Sequence, residues 1–195
     1  MASELTVQTL RGPTSGANAN QILVPSGQTL YAPGHVIQVQ KATVNSRTTF
    51  TSTAYTTTPL ALNFTPKFAN SMLHVMCTGT LAYVASLATT GAIFRRVIGG
   101  TTSYSPLGNT GHGNINSPDG ATMAVYGGGT GAGNNSQTPF TMEWFDDTHN
   151  TTNQIAYTVM VANNGNGSHT TAFGGLGNQN EYNVVSTISV WEIAQ

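Results

Sequence analysis

Charged side chains are scarce in this chain of 195 residues. Only 7% of them are Asp, Glu, Lys or Arg, whereas a typical soluble protein carries about a quarter. The six basic and seven acidic side chains give a formal net charge of −1. We expect no nucleic-acid binding, because the chain has few cations with which to neutralise phosphates. A surface near zero charge also favours association, so the composition predicts a protein that works inside an assembly.

Cysteine and long apolar runs are also nearly absent. The single Cys77 excludes an intramolecular disulfide and a cysteine-based metal cluster, and it is predicted to be a small core residue. The N-terminus has neither the basic region nor the apolar run of a signal peptide, and no stretch approaches the ~20 apolar residues of a membrane span. We therefore expect synthesis in a cytoplasm and no membrane insertion.

Helix-forming patterns are weak, whereas strand patterns recur. Glycine occurs 22 times, and β-branched Thr and Val are frequent throughout. The best helix candidate, residues 81–94, is rich in Ala but contains the Ala-Thr-Thr-Gly run at 88–91, which favours a break. Apolar side chains alternate with a period of two in three segments. Their members are Leu73, Val75, Cys77, Gly79, Leu81 and Tyr83; Phe140, Met142 and Trp144; and Ile155, Tyr157, Val159 and Val161.

The last strand, residues 184–193, carries large apolar groups on both faces. Ile188 and Val190 lie on one face, and Trp191 and Ile193 on the other. We expect this strand at the centre of a sheet and covered on both sides. His74 falls on the face opposite Val75, which favours an interface or surface position for the imidazole.

Short strands separated by Gly-rich and Asn-rich turns, with no helices between them, are typical of an antiparallel sandwich or barrel. Residues 99–137 are the least strand-like and are predicted to form one or two long surface loops. Residues 1–45 contain several of the eight prolines and are predicted to form an extended arm that packs on neighbouring chains or on a partner. Residues 46–195 are then the globular head.

One cluster of polar residues is typical of a catalytic or metal site. Glu143, Asp146, Asp147 and His149 are close enough in sequence to hold a hard cation or to act as an acid and base. A structural role is the stronger interpretation, because Asp commonly bonds its own backbone where a strand turns. The glycines of residues 127–133 lack the Gly-Lys-Ser/Thr ending of a phosphate-binding loop. We predict no metal, no cofactor and no enzymatic activity.

Aromatic side chains among the Gly and Asn residues have two interpretations. Tyr104, Tyr126 and Phe173 are candidates for a sugar-binding platform on loops. Burial, or contact between subunits, is the commoner role of such residues. Tyr182 and Trp191 are candidates for a packed threefold axis.

Several short segments at both ends of the chain and in its first strands are moderately specific in this order. They are Leu-Thr-Val-Gln-Thr-Leu at 5–10, Pro-Ser-Gly at 25–27, Ala-Pro-Gly-His-Val-Ile-Gln-Val-Gln at 32–40, the Thr-Pro-Leu and Thr-Pro-Lys steps at 58–60 and 65–67, and Ser-Thr-Ile-Ser-Val-Trp-Glu-Ile-Ala at 186–194. In this order they resemble segments of small virion structural and tail-fibre-type proteins of tailed phages, especially marine ones. Residues 70–75 stand where the family has a Ser-Ser-Lys-Ile-Leu-Val strand. Met72 and His74 depart from it.

The resemblance implies a jelly-roll-like sandwich, similar to the trimeric heads of C1q and tumour necrosis factor. It also implies display on a phage particle and no enzymatic activity. We therefore expect a homotrimer at the virion surface, joined to other virion proteins of the capsid or tail through the arm. The two places on the particle, capsid decoration and short fibre, both stay open. The alternative is a receptor-binding module of a tail fibre, whose loops at 99–137 and 163–180 recognise a host surface glycan.

Overall fold

Two antiparallel sheets packed face to face form the framework of the protein. The computed structural model describes residues 8–19, 21–83, 88–105, 123–127, 136–163, 170–175 and 184–195, and this part of the chain contains strands and turns but no helix. The strands are β1 (Val36–Val44), β2 (Thr48–Phe50), β3 (Thr56–Phe64), β4 (Met72–Tyr83), β5 (Ala88–Ile98), β6 (Thr101–Tyr104), β7 (Met123–Gly127), β8 (Ser136–Asp146), β9 (Ile155–Asn163), β10 (Thr171–Phe173) and β11 (Ser186–Ile193).

The order of the strands is that of a jelly roll. In the first sheet, here called sheet A, the longer strands follow the order β1-β11-β4-β8, and short β10 and β2 extend it beside β4. In the second, sheet B, β3, β9 and β5 are followed by β6 and β7 on the free side of β5. The chain thus crosses between the sheets as two Greek keys do. The predicted all-β antiparallel sandwich is confirmed.

Pairing between strands decides the structure of the described parts of two segments, 81–94 and 99–137, that the local sequence pattern did not assign to strands throughout. The Ala-rich segment 81–94 is divided between β4 and β5, because each half pairs with strands distant in sequence. Residues 99–137 are not loop throughout, since β6, β7 and the start of β8 fall inside this range. A strand of four or five residues is too short to show an alternating pattern in the sequence. Here β6 and β7 are strands because both pair with β5. Within that range, 106–122 and 128–135 lie outside the described residues.

The core lies between the sheets, and the predicted alternation accounts for its members. Inward side chains of sheet A include Leu73, Val75, Cys77, Leu81, Phe140, Met142, Trp144, Ile188 and Val190, and those of sheet B include Leu60, Leu62, Phe64, Phe94, Ile155, Tyr157, Val159 and Val161. Gly79 also faces inward. A Cβ at this position would lie 3.2 Å from the Phe140 ring and 2.9 Å from Ser186 Oγ. The absence of a side chain therefore lets the neighbouring ring fill the space above β4.

The N-terminal segment joins the head earlier than the predicted boundary at residue 45. Strand β1 lies inside the range assigned to the arm, because it pairs with β11 along its length. The described segment outside both sheets is therefore residues 8–35, apart from residue 20. Its last part is held to the head: Gly34 N–H donates to Ala194 O (2.8 Å), Ala194 N–H donates to His35 O (2.9 Å), and the Tyr31 ring meets Phe68 edge-on at 4.8 Å.

A buried ion pair ties the two sheets together at one end of the sandwich. Asp146, at the end of β8 in sheet A, is fully buried and pairs with Arg96 of β5 in sheet B. Tyr157 of β9 donates its hydroxyl to the same carboxylate at 2.7 Å. The Arg96 guanidinium also lies 5.3 Å from the centre of the Trp144 ring. Burial, and then the charge of Asp146, raise the pKa of Tyr157, so its hydroxyl stays a donor.

Asp146→Ala is expected to lower the free energy of unfolding by about 3–5 kcal/mol, because it leaves the guanidinium of Arg96, whose side chain is only 12% exposed, without its carboxylate partner. Asp147→Ala is the matched control, since that neighbouring side chain is exposed and such changes stay within about 0.5 kcal/mol. Urea unfolding followed by tryptophan fluorescence measures both. Equal stability of the two variants would show that the pair does not hold the sheets together.

Candidate interaction face

The carboxylates and the histidine in residues 143–149 do not converge on one site. Glu143 points outward from β8, Asp146 points into the sandwich, and Asp147 is exposed beyond the strand. His149 is buried, and its Nε2 lies 3.2 Å from Phe68 O. Alternation along β8 sends neighbouring side chains to opposite faces. Among the described residues, no three His, Cys, Asp or Glu side chains are grouped to hold a metal ion.

A second buried carboxylate, Glu192 of β11, is not among the sequence candidates. It is fully buried and accepts hydrogen bonds from the loop before β4 and from β1. The donors are Lys67 N (2.9 Å), Phe68 N (2.9 Å), Ser71 Oγ (2.8 Å) and Gln38 Nε2 (2.6 Å). Such charge-assisted bonds fix the loop to the sheet. The clue in the sequence was its position two residues after Val190, because alternation along a strand then places Glu192 on the same inner face as Val190.

The outer face of sheet A carries a row of exposed apolar and aromatic side chains. Here the outer face means the outward side chains of β1, β11, β4 and β8. Val39 pairs with Trp191, Trp191 with His74, and His74 with Phe145, so these four residues form one line across all four strands. Val39 is 48% exposed, Trp191 38% and Phe145 49%. Contiguous exposed groups of this kind mark interaction surfaces.

Apolar side chains continue on one side of this row. Val36 pairs with Ile193, and Ile193 pairs with Met72, so a second line lies next to the first. Val36 is exposed, and the other two are half-buried. The outer face therefore carries two adjacent apolar lines at the end of the sheet where β1 begins.

Contacts within the chain orient the aromatic groups of the row. The His74 and Phe145 rings are stacked, with centroids 4.3 Å apart and planes 11° from parallel. Glu143 Oε2 lies 3.1 Å from His74 Nε2 and holds the imidazole in this orientation. Trp191 Nε1–H donates to Ser189 Oγ at 3.4 Å. Contacts of this kind lower the side-chain entropy that is lost when a partner binds.

The structure separates the aromatic residues predicted as site candidates. Trp191 lies on the outer face, as its alternation predicts, whereas Tyr104 is exposed on β6 in the other sheet. Phe173 is fully buried in the core, so its prediction as a loop ligand contact is wrong. Its strand β10 inserts between β2 and β4, a placement that only tertiary pairing produces. Tyr126 belongs to β7 but its side chain lies outside the described part, and so does Tyr182.

Cys77, predicted as a core residue, is buried and faces Ile188 across the strand pair. Burial raises the pKa of its thiol to about 12. Since the thiolate is the reactive form, the native thiol should react with an aromatic disulfide reagent roughly a thousandfold more slowly at pH 8 than the unfolded chain. Absorbance of the released thiolate, measured with and without urea, tests this. Stoichiometric labelling of the native protein within minutes would contradict it.

The described residues include no helix of the length and apolarity needed to cross a membrane. No protein-family model matches the chain, and no curated protein matches it. The predicted membership of a phage virion family therefore stays a prediction.

Two structures of infectious bursal disease virus show weak structural similarity. For the Gx strain the identity is 12% and the TM-score 0.36, over 82% of this chain and 37% of that one. For the Gt strain the identity is 15% and the TM-score 0.32, over 94% and 46%. This chain spans less than half the length of either match.

Proposed function

We propose that this protein is a non-enzymatic structural component of a virus particle, displayed at the virion surface as a homotrimer. The observation that carries the proposal is the row of apolar and aromatic side chains exposed across the outer face of sheet A. Jelly rolls recur in viral capsid proteins as well as in lectins and cupins, so the fold alone does not decide between these roles. The resemblance of both chain ends to phage virion proteins favours the particle.

A role in an assembly explains why this face is apolar. Few charges are available to keep the chain apart from its neighbours, since it carries six cations and seven anions. An exposed Trp191 and Phe145 on such a surface favour association. Packing between subunits removes them from water, much as a core does. The last strand, expected to be covered on both faces, is then covered on one face by its own chain and on the other by other copies.

The homotrimer predicts a native mass near 61 kDa (3 × 20.4 kDa) by light scattering. Trp191→Ser should shift this mass toward the 20.4 kDa of one chain, because it removes the largest side chain of the row. Tyr104→Ser is the matched control, since that ring is similarly exposed, at 41%, but lies on sheet B. A wild-type protein that stays monomeric at micromolar concentration would refute the proposed assembly.

The N-terminal segment is proposed to join the protein to other virion components. Its apolar side chains are exposed: Leu10 by 60%, Ile22 by 54%, Leu23 by 60% and Val24 by 45%. The stretch from Ile22 to Val24 has no strand partner in the described part of the chain. A partner protein that covers these side chains would explain why they are apolar. Both capsid decoration and a short fibre suit such an anchor.

Deletion of residues 1–28 tests the anchor, because it spares β1 and the contacts that Tyr31 and Gly34 make with the head. We expect an oligomer of unchanged subunit number that no longer cosediments with particles of the virus that encodes it. Deletion of residues 1–45 is unsuitable, since it removes β1 from sheet A. Cosedimentation retained by the shorter deletion would refute the anchoring role.

The alternative, a receptor-binding module for a host glycan, rests on fewer observations. Of its three loop aromatics, Phe173 is buried and only Tyr104 has a described, exposed side chain. A glycan array with the purified protein and with Tyr104→Ala separates the two functions. Reproducible binding that is lost in the variant would favour the receptor-binding module.

A further inference from the structure

The outer face of sheet A carries opposite charges at its two edges. Lys41 of β1 pairs with Ser189 of β11, Ser189 with Met76 of β4, and Met76 with Glu143 of β8. Lys41 and Glu143 thus end one line of side chains that lies next to the aromatic row. Three strand spacings separate them, which is about 14 Å. Both are exposed.

These two charges stand out in a chain so poor in charge. Among the described side chains of β1, β11, β4 and β8, the outward ionisable groups are Lys41, His74 and Glu143. Asp146 and Glu192, the other two acids of these strands, point inward and are fully buried. The face is therefore neutral as a whole, with a cation at the β1 edge and an anion at the β8 edge.

We propose that the outer face binds a second copy of this chain head to tail, with Lys41 at the β1 edge of one copy against Glu143 at the β8 edge of the next. This inference rests on the self-assembly proposed above and names its contacts. A face whose two edges complement each other is matched by another copy of itself. A heterologous contact of this kind closes into a ring when the rotation allows it, and at three copies it uses every Lys41 and every Glu143.

The contact that Glu143 already makes leaves room for this pairing. His74 Nε2 lies against Oε2, and an ionised carboxylate offers about four acceptor positions on its two oxygens. The neighbour's ammonium can therefore approach while the imidazole stays stacked on Phe145. The apolar and aromatic lines supply the buried area, and the charges at the edges set which edges meet.

Charge exchange between the two edges tests the proposal. Lys41→Glu and Glu143→Lys each place like charges at the contact and should raise the dissociation constant of the oligomer at least roughly tenfold. The double variant reverses the pair and should recover the wild-type mass by light scattering. Arg95→Glu is the control, because it changes the net charge by the same amount as Lys41→Glu but lies on β5 of sheet B. Circular dichroism spectra unchanged from the wild type show that each variant is folded.

The possible outcomes separate this inference from the proposed function. A monomeric wild type refutes self-assembly, and with it both proposals. If the wild type is oligomeric and both single variants assemble as well as Arg95→Glu, the head-to-tail contact is refuted. The proposed self-assembly is not refuted by that result. Failure of the double variant to recover the oligomer refutes the pairing of these two residues.

Mixing the two single variants distinguishes a ring from a twofold dimer. In a ring of three copies, at least one contact joins two copies of the same variant and stays repulsive, so recovery should be partial. In a twofold dimer of one copy of each variant, both contacts are attractive. Full recovery at a mass near 41 kDa (2 × 20.4 kDa) would therefore overturn the head-to-tail arrangement.

Discussion

Burial of the inner faces of sheets A and B against each other is the interaction on which the rest of the structure depends. Once Val190 and Glu192 point inward, the two-residue period of a strand directs Trp191 outward. The same period directs His74 and Phe145 outward between their buried neighbours. The exposed row is thus a geometric consequence of a core that also aligns these side chains across four strands. Every sheet of this kind has outward positions. This face is distinguished by the residues that occupy them.

The two fully buried carboxylates of the described residues lie close together at one end of the sandwich. Leu73 pairs with Glu192 on one side and with Asp146 on the other, so two buried carboxylates flank one core leucine. Asp146 is satisfied by Arg96 and Tyr157 from the opposite sheet, whereas Glu192 is satisfied mainly by backbone and hydroxyl donors of one loop. Buried charges are tolerated only with such partners. Of the acidic residues in the 143–149 cluster, Asp146 therefore serves the framework of the protein, as does Glu192.

The scarcity of charge and the apolar outer face both favour a protein that works in contact with neighbours. A protein that works as a dilute monomer benefits from net charge and a charged surface, and this chain has neither. A subunit that stays packed between neighbours does not need a charged surface, because contacts with the neighbours replace contacts with water over much of that surface. In the proposed assembly, the few charges left on the outer face act on the geometry of association more than on its strength. This division of roles underlies both the proposed function and the proposed contact between copies.

The sequence by itself determined the fold class, the core positions of β4, β8, β9 and β11, and the outward direction of Trp191 and His74. All of these follow from a period of two, which is a local property. Tertiary structure alone decided that Phe173 is buried, that short β6 and β7 are strands, and that β1 belongs to sheet A, since each depends on a partner distant in sequence. It likewise separated Glu143 from Asp146 and brought Val39, Trp191, His74 and Phe145 into one line. Register between strands determines which side chains are neighbours, and periodicity within a single strand contains no information about register.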